Sequence, residues 1–399
     1  MNVCLYLQIH QPYRVGRYRV FDIGTDRDYF DPGLDRDVIE RVAERCYRPA
    51  LALLADLVAA HAGRFRFALG ITSTALAQLD DLAPDVIDGL RHLIATGAVE
   101  IVAETSHHSL AGLFDREEFV AQIRAHADDI ERLLGVLPTA FRNTEMLYSD
   151  EIACTVANLG YTVMLTEGAD AALGMRSPNQ LFAAGAAPSL RVLARNFRLS
   201  DDVGFRFSDQ GWSEWPLTAA RYAEWIAAQH GTTANVFLDF ETLGEHHAAK
   251  TGIFDFVADL PRETLVRGVG FHLPSEAAEL APVGLITVPA PISWADRERD
   301  DSAWLGNRMQ SAAAKRLYGL LPALRAGDDA ELLETWRRLS TSDHLYYVST
   351  KGLEDGGVHA YFSPFESPYD AFIALMNVLT DFERRVAAAV PVEIQSTAA

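Results

Sequence analysis

Short apolar runs alternate along the chain with longer amphipathic stretches. The apolar runs predict strands at Val3–Gln8, Phe65–Ile71, Val99–Ala103, Ala140–Arg142, Val163–Thr166, Leu190–Ala194 and Asn235–Asp239. Between them, Asp37–Ala60, Ala83–Ala95 and Arg116–Leu134 carry helical periodicity. Such alternation predicts βαβ units, a parallel sheet and right-handed crossovers. Seven strands whose loops carry His, Glu and Asp fit a distorted α/β barrel better than an open sheet. A Pro-rich stretch, Pro282 to Pro291, then separates the barrel from helical segments at Ala303–Leu320, Asp328–Ser340 and Ser367–Val386. The expected division is a barrel over 1–290 and a helical region over 291–399. Val358–Phe362 reads as one further strand, and Gln395–Ala399 as a frayed tail.

Composition narrows the partners. The 399 residues are 49% hydrophobic, enough for a large core, and the net charge is −20. Nucleic acid and anionic membranes favour a basic face, so neither is an expected partner. No apolar run reaches the roughly 18 residues of a membrane span. Cys4, Cys46 and Cys154 are far apart and odd in number, which reads as buried free thiols in a reducing compartment. With no basic, apolar leader before the first strand, the expected location is cytoplasmic.

Two apolar stretches run into carboxylates, Phe141-Arg142-Asn143-Thr144-Glu145 and Val236-Phe237-Leu238-Asp239-Phe240-Glu241. Strand C-terminal ends line the active-site mouth of a parallel barrel. Two carboxylates delivered there suit glycoside hydrolysis, one as nucleophile or base and one as acid, about 5–5.5 Å apart for retention or about 6.5–9.5 Å for inversion. Arg142 and Asn143 are placed to hold Glu145 ionised. The apolar neighbours Leu238 and Phe240 favour a protonated Asp239. Each carboxylate could equally cap a helix or pair with an arginine. Further polar groups cluster at expected strand ends: His10-Gln11-Pro12, Glu104-Thr105-Ser106-His107-His108, and Glu241 with Gly244-Glu245-His246-His247. Trp212, Trp215 and Phe240 offer flat faces for sugar rings, whereas Trp225 reads as core. The histidines and carboxylates would also suit a metal, but no HxxxH, HExxH or CxxC spacing occurs. Phosphate loops and a GxSxG elbow are absent.

Taken together, these motifs resemble glycoside hydrolase family 57, its α-amylase-like branch. The carriers are His10-Gln11-Pro12, Gly97 to Thr105, Phe141 to Glu145, Leu238 to His246 and, more weakly, Leu273-Pro274-Ser275-Glu276. Leu199–Phe207, Thr341–Tyr347 and Ser363–Asp370 are similar to that branch as well. The resemblance implies an incomplete (β/α)7 barrel followed by a small C-terminal helical domain. It implies retention through a glycosyl-enzyme on Glu145, with Asp239 as general acid/base, acting on α-1,4-glucans or malto-oligosaccharides without cofactor or metal. Substrate contacts are expected from His10, Gln11, Glu104, His108, Arg142, Asp201, Trp212, Phe240, Glu241, His246, Asp343 and His344. The alternatives are a 4-α-glucanotransferase or branching-type transglycosylase on the same site, a metal-dependent carbohydrate deacetylase or mannosidase, and a non-catalytic glucan-binding protein.

Overall fold

The structure, a computed structural model, describes residues 1–351 and 363–389. The strand expected at Val358–Phe362 and the tail Gln395–Ala399 lie outside the described residues. The chain divides into two compact units. One comprises 1–11, 37–106 and 120–294, and the other 12–36, 107–119 and 295–399.

The first unit is built on a ten-stranded sheet: β1 (Asn2–Ile9), β2 (Phe67–Ile71), β3 (Val99–Ala103), β4 (Ala140–Arg142), β5 (Val163–Glu167), β6 (Leu181–Ala184), β7 (Arg191–Arg195), β8 (Thr233–Asp239), β9 (Gly270–Phe271) and β10 (Leu285–Ile286). Seven of these, β8-β1-β2-β3-β4-β5-β7, run parallel in that spatial order. They correspond to the seven strands the apolar runs predict. At the two ends of this row, Asn196 N donates to Asn235 O at 2.8 Å, Asn235 Nδ2 to Ala194 O at 2.8 Å, and Arg195 Nε to Phe237 O at 3.0 Å. These bonds tie β7 to β8 where a ladder would close a full barrel, giving an incomplete (β/α)7 barrel. β6 was missed: its four residues are alanine-rich, with weak strand preference, and antiparallel pairing with β7 makes it a strand.

Helices fill the crossovers, and capping side chains begin several of them. Thr72, Ser149, Asn196 and Thr218 each accept from a backbone N–H in the first turn of the helix that follows. Gly70 has a packing role. A Cβ there would meet the Tyr6 hydroxyl and Gln8 Oε1 inside the barrel.

In the second unit, the stretch expected as one helix over Ala303–Leu320 breaks into Ser302–Leu305 and Arg308–Tyr318. Asn307 starts the second by accepting from Gln310 N at 2.9 Å, with the Gln310 side chain closing a capping box. Helices Ala330–Leu339 and Pro368–Ala389 lie where periodicity puts them. No helix among the described residues is long and apolar enough to cross a membrane. All three cysteines are free thiols, Cys4 and Cys46 buried and Cys154 half-buried.

Candidate active site

Side chains of a strand alternate between faces, so one interior position fixes the rest. The interior cluster includes Cys4, Tyr6, Ala68, Val102, Ala140, Val163, Leu165, Leu193 and Phe237. Register keeps this parity around the sheet: Tyr6 lies opposite Phe237 and Ala68, Val102 opposite Ala140, and Ala140 opposite Val163. One step of two further toward the C-terminal ends, the same face carries Gln8, Glu104, Arg142, Glu167, Arg195 and Asp239. An apolar plug thus ends abruptly in a charged layer.

That layer is internally paired. Gln8 Nε2 donates to Glu104 Oε1 at 2.6 Å, and Arg142 Nη1 is 3.9 Å from Glu104 Oε2. Arg195 bonds Glu167 at 3.0 Å and Asp201 at 2.6 Å. Asp201 therefore meets an arginine, with its backbone in the helix Phe197–Gly204.

Contrary to expectation, Glu145 does not end a strand. β4 stops at Arg142, and Glu145 sits in a 3-10 turn, Thr144–Met146, with φ of 53°; Met146 follows at 54°. Two consecutive non-glycine residues in the left-handed region store strain that surrounding bonds must hold. Met146 N donates to Asn143 O at 2.9 Å, Leu147 N to Thr144 O at 2.9 Å, Asn143 Nδ2 to Leu147 O at 3.1 Å, and Thr166 Oγ1 to Met146 O at 3.2 Å. The carboxylate is half-buried, and the Trp294 indole Nε1 donates to its Oε2 at 2.7 Å. Neither Arg142 nor Asn143 bonds Glu145, contrary to expectation. Asn143 is committed to the turn. The fully buried Arg142 lies against the Trp294 ring, 4.8 Å from its centroid.

β8 delivers its carboxylates without strain. Asp239 is its last residue, extended and half-buried, opposite Gln8. Glu241 follows in a 3-10 turn, 6% exposed, taking the Tyr47 hydroxyl on Oε1 at 2.5 Å, with Gln11 Nε2 at 3.5 Å. Burial first, and the charge of Asp239 second, push Glu241 up to about 8. Its neutral form therefore dominates near pH 7. Gly244 fits the turn beyond, at φ of 114°, because a Cβ there would strike the Arg45 carbonyl oxygen. His246 is pushed down to about 4 by burial and by His247, and so stays neutral at pH 7.

His10 continues the interior parity of β1 and meets Thr72 Oγ1 at 3.1 Å. Trp212 is half-buried, edge-on to Trp225 at 6.1 Å. Phe240, expected to offer a face to sugar, is fully buried, edge-on to Tyr47 at 6.0 Å, so its faces serve packing. His108, Asp343 and His344 belong to the second unit. His108 is buried with φ of 51° and its carbonyl accepts from Ser342 N at 2.9 Å. His344 is buried with ring nitrogens 3.1 and 3.0 Å from the carbonyls of Leu339 and Tyr13, a structural arrangement. Asp343 Oδ1 lies 3.5 Å from the Tyr347 hydroxyl. Among the described residues, no three His, Cys, Asp or Glu side chains gather as a metal-binding set.

Sequence reasoning missed Gln8, Tyr47, Glu167, Arg195 and Trp294. Strand parity would have found Gln8, Glu167 and Arg195, each two residues beyond an apolar interior position. Nothing local marks Tyr47 or Trp294.

Comparison with known proteins matches residues 4–289 to the family model described as Glycosyl hydrolase family 57. A Methanocaldococcus jannaschii protein named "Putative alpha-amylase" is 39% identical over 401 residues, covering 96% of this chain and 84% of that protein. The solved 4-alpha-glucanotransferase of Thermococcus litoralis superposes with a TM-score of 0.70 at 15% identity over 96% of this chain; the chain spans 60% of that enzyme's length. A GH57 branching enzyme from Thermococcus kodakaraensis gives a TM-score of 0.70 at 13% identity, covering 96% of this chain and 89% of that one.

Proposed function

The chain belongs to glycosyl hydrolase family 57, and from that premise we propose that it cleaves α-1,4-linked glucans of the starch or maltodextrin type with retention, Glu145 acting as nucleophile and Asp239 as general acid/base. The observation that carries this reading is the pair of unlike carboxylates at the C-terminal edge of one parallel barrel. Glu145 is aimed by a strained turn and Asp239 ends β8. A Glu145 oxygen attacks the anomeric carbon as the glycosidic C–O bond breaks, and Asp239 gives its proton to the leaving oxygen. Water, deprotonated by Asp239, then displaces Glu145 from the same carbon. Neutral Glu241 supplies a hydroxyl beside Asp239, and Gln8, Glu104 and His10 line the sugar's path.

Wild type and Glu145→Gln are incubated with maltoheptaose and the products sized by mass. Shorter oligosaccharides from wild type, with at least about a 10³-fold slower rate from the variant, are expected. Equal rates from the two proteins would remove Glu145 from the mechanism. Longer chains beside the shorter ones would instead make the protein a transglycosylase on the same site.

A further inference from the structure

The backbone after β10 runs as a strap along the chain that carries Glu145. Asp150 N donates to Val288 O at 2.8 Å, and Val288 N to Asp150 Oδ1 at 3.0 Å. Tyr148 and Ile292 exchange two backbone bonds, 2.9 and 3.0 Å. Trp294 N then reaches Glu145 O at 3.2 Å, and its indole Nε1 reaches Glu145 Oε2 at 2.7 Å. Three successive tethers thus deliver one indole N–H to one carboxylate oxygen. Trp294 lies beyond the residues 4–289 that the family model matches.

The indole itself is flanked by charge. The guanidinium carbons of Arg142 and Arg195 lie 4.8 and 5.5 Å from its ring centroid, both within cation–π range. Arg195 is committed to Glu167 and Asp201. Arg142 is different: it is fully buried, and none of its three guanidinium nitrogens has a hydrogen-bond partner. Its compensation is the Trp294 ring and the Glu104 carboxylate 3.9 Å away. A buried cation left to an aromatic face draws electron density from that ring and polarises its N–H.

We infer that Trp294 is a positioning residue for Glu145, its N–H strengthened as a donor by Arg142 and Arg195 and holding the carboxylate ionised in one orientation. The inference rests on the proposed nucleophilic role of Glu145. When the glycosyl ester forms, Oε2 becomes its carbonyl oxygen and loses charge. When water breaks that ester, charge returns to Glu145, and the Trp294 N–H stabilises it. The bond therefore favours the second step more than the first.

Trp294→Phe keeps a ring for the arginines and deletes the donor. The first readout needs no turnover: the side-chain carboxyl ¹³C resonance of Glu145, identified by its loss in Glu145→Gln, titrated in both backgrounds. It is expected to titrate at higher pH in Trp294→Phe, because an ionised carboxylate has lost a donor. An unchanged titration overturns the proposal. The second readout is kinetic: kcat on maltoheptaose falls about tenfold to a hundredfold with glycosyl-enzyme accumulating on Glu145, and the acid limb of the kcat/KM profile, which reports the free enzyme, moves to higher pH. A fall in kcat with an unmoved acid limb and no accumulation also overturns it, since misfolding would act that way. If wild type leaves maltoheptaose intact, the glycosidase reading fails, while the titration still decides whether Trp294 controls Glu145.

Discussion

The ends of β4 and β8 present carboxylates at the same edge of the same barrel, yet by opposite means. After β4, two residues at positive φ carry Glu145 away from the strand line to an indole N–H near two arginines. After β8, the backbone stays relaxed and the chemistry comes from burial. Asp239 keeps partial exposure while Glu241, two residues on, is driven toward its neutral form. One edge spends backbone strain on placing a carboxylate, and the other uses burial to drive Glu241 toward its neutral form. The strain at β4 also suggests why a short strand needs so many tethers: the turn must be held from several sides to persist.

The contrast is tested most severely at Asp239. Asp239→Asn is expected to slow cleavage of maltoheptaose by about 10²–10⁴-fold, because the sugar leaving group needs a proton. The first step on α-glucosyl fluoride, whose leaving group needs little help, should fall far less. Equal losses on both substrates in stopped-flow measurements would strip the β8 edge of its acid role.

A smaller effect is expected from Glu241. Its folded-state value is raised from the ordinary carboxylate range to about 8, so the folded protein keeps a proton that the unfolded chain gives up. That contribution is present in full at acid pH and is lost as pH climbs from the ordinary carboxylate range through about 8. Glu241→Gln is neutral at every pH and retains an acceptor for Tyr47. Relative to wild type, it should gain stability between about pH 5 and pH 9, by a few kcal/mol. Thermal melts across that range check the sign. A constant difference would mean that Glu241 is ionised throughout and that the two edges are alike.

The smallest effect isolates the β4 strain. At φ of 53°, Glu145→Gly should be more stable than Glu145→Ala by about 1 kcal/mol, the reverse of the usual order in regular structure. Both variants lose the same carboxylate, so denaturant midpoints compare backbone cost alone. If alanine is equal or better, the turn relaxes and the tethers are not holding strain.

The sequence by itself determined the seven parallel strands, because apolar runs separated by amphipathic helices admit few other arrangements. It also determined which side chains at the strand ends share the interior face. Parity along each strand extends from the apolar interior to Glu104, Arg142 and Asp239, and to Gln8, Glu167 and Arg195 as well, since successive side chains must take opposite faces. What the residues touch was decided by tertiary structure. Arg142 looked like a partner for Glu145, and instead it turns to Glu104 and to an indole distant in sequence, that of Trp294. Phe240 looked like a sugar platform, and packing on Tyr47 closed it. Pro282 to Pro291 looked like a separator, yet it contains β10 and begins the strap that ends on Trp294. Local pattern encodes the direction of a side chain, because that follows from the backbone period. It does not encode partners 150 residues away, because those are selected by which groups the folded barrel brings within hydrogen-bonding range, as Trp294 and Glu145 show.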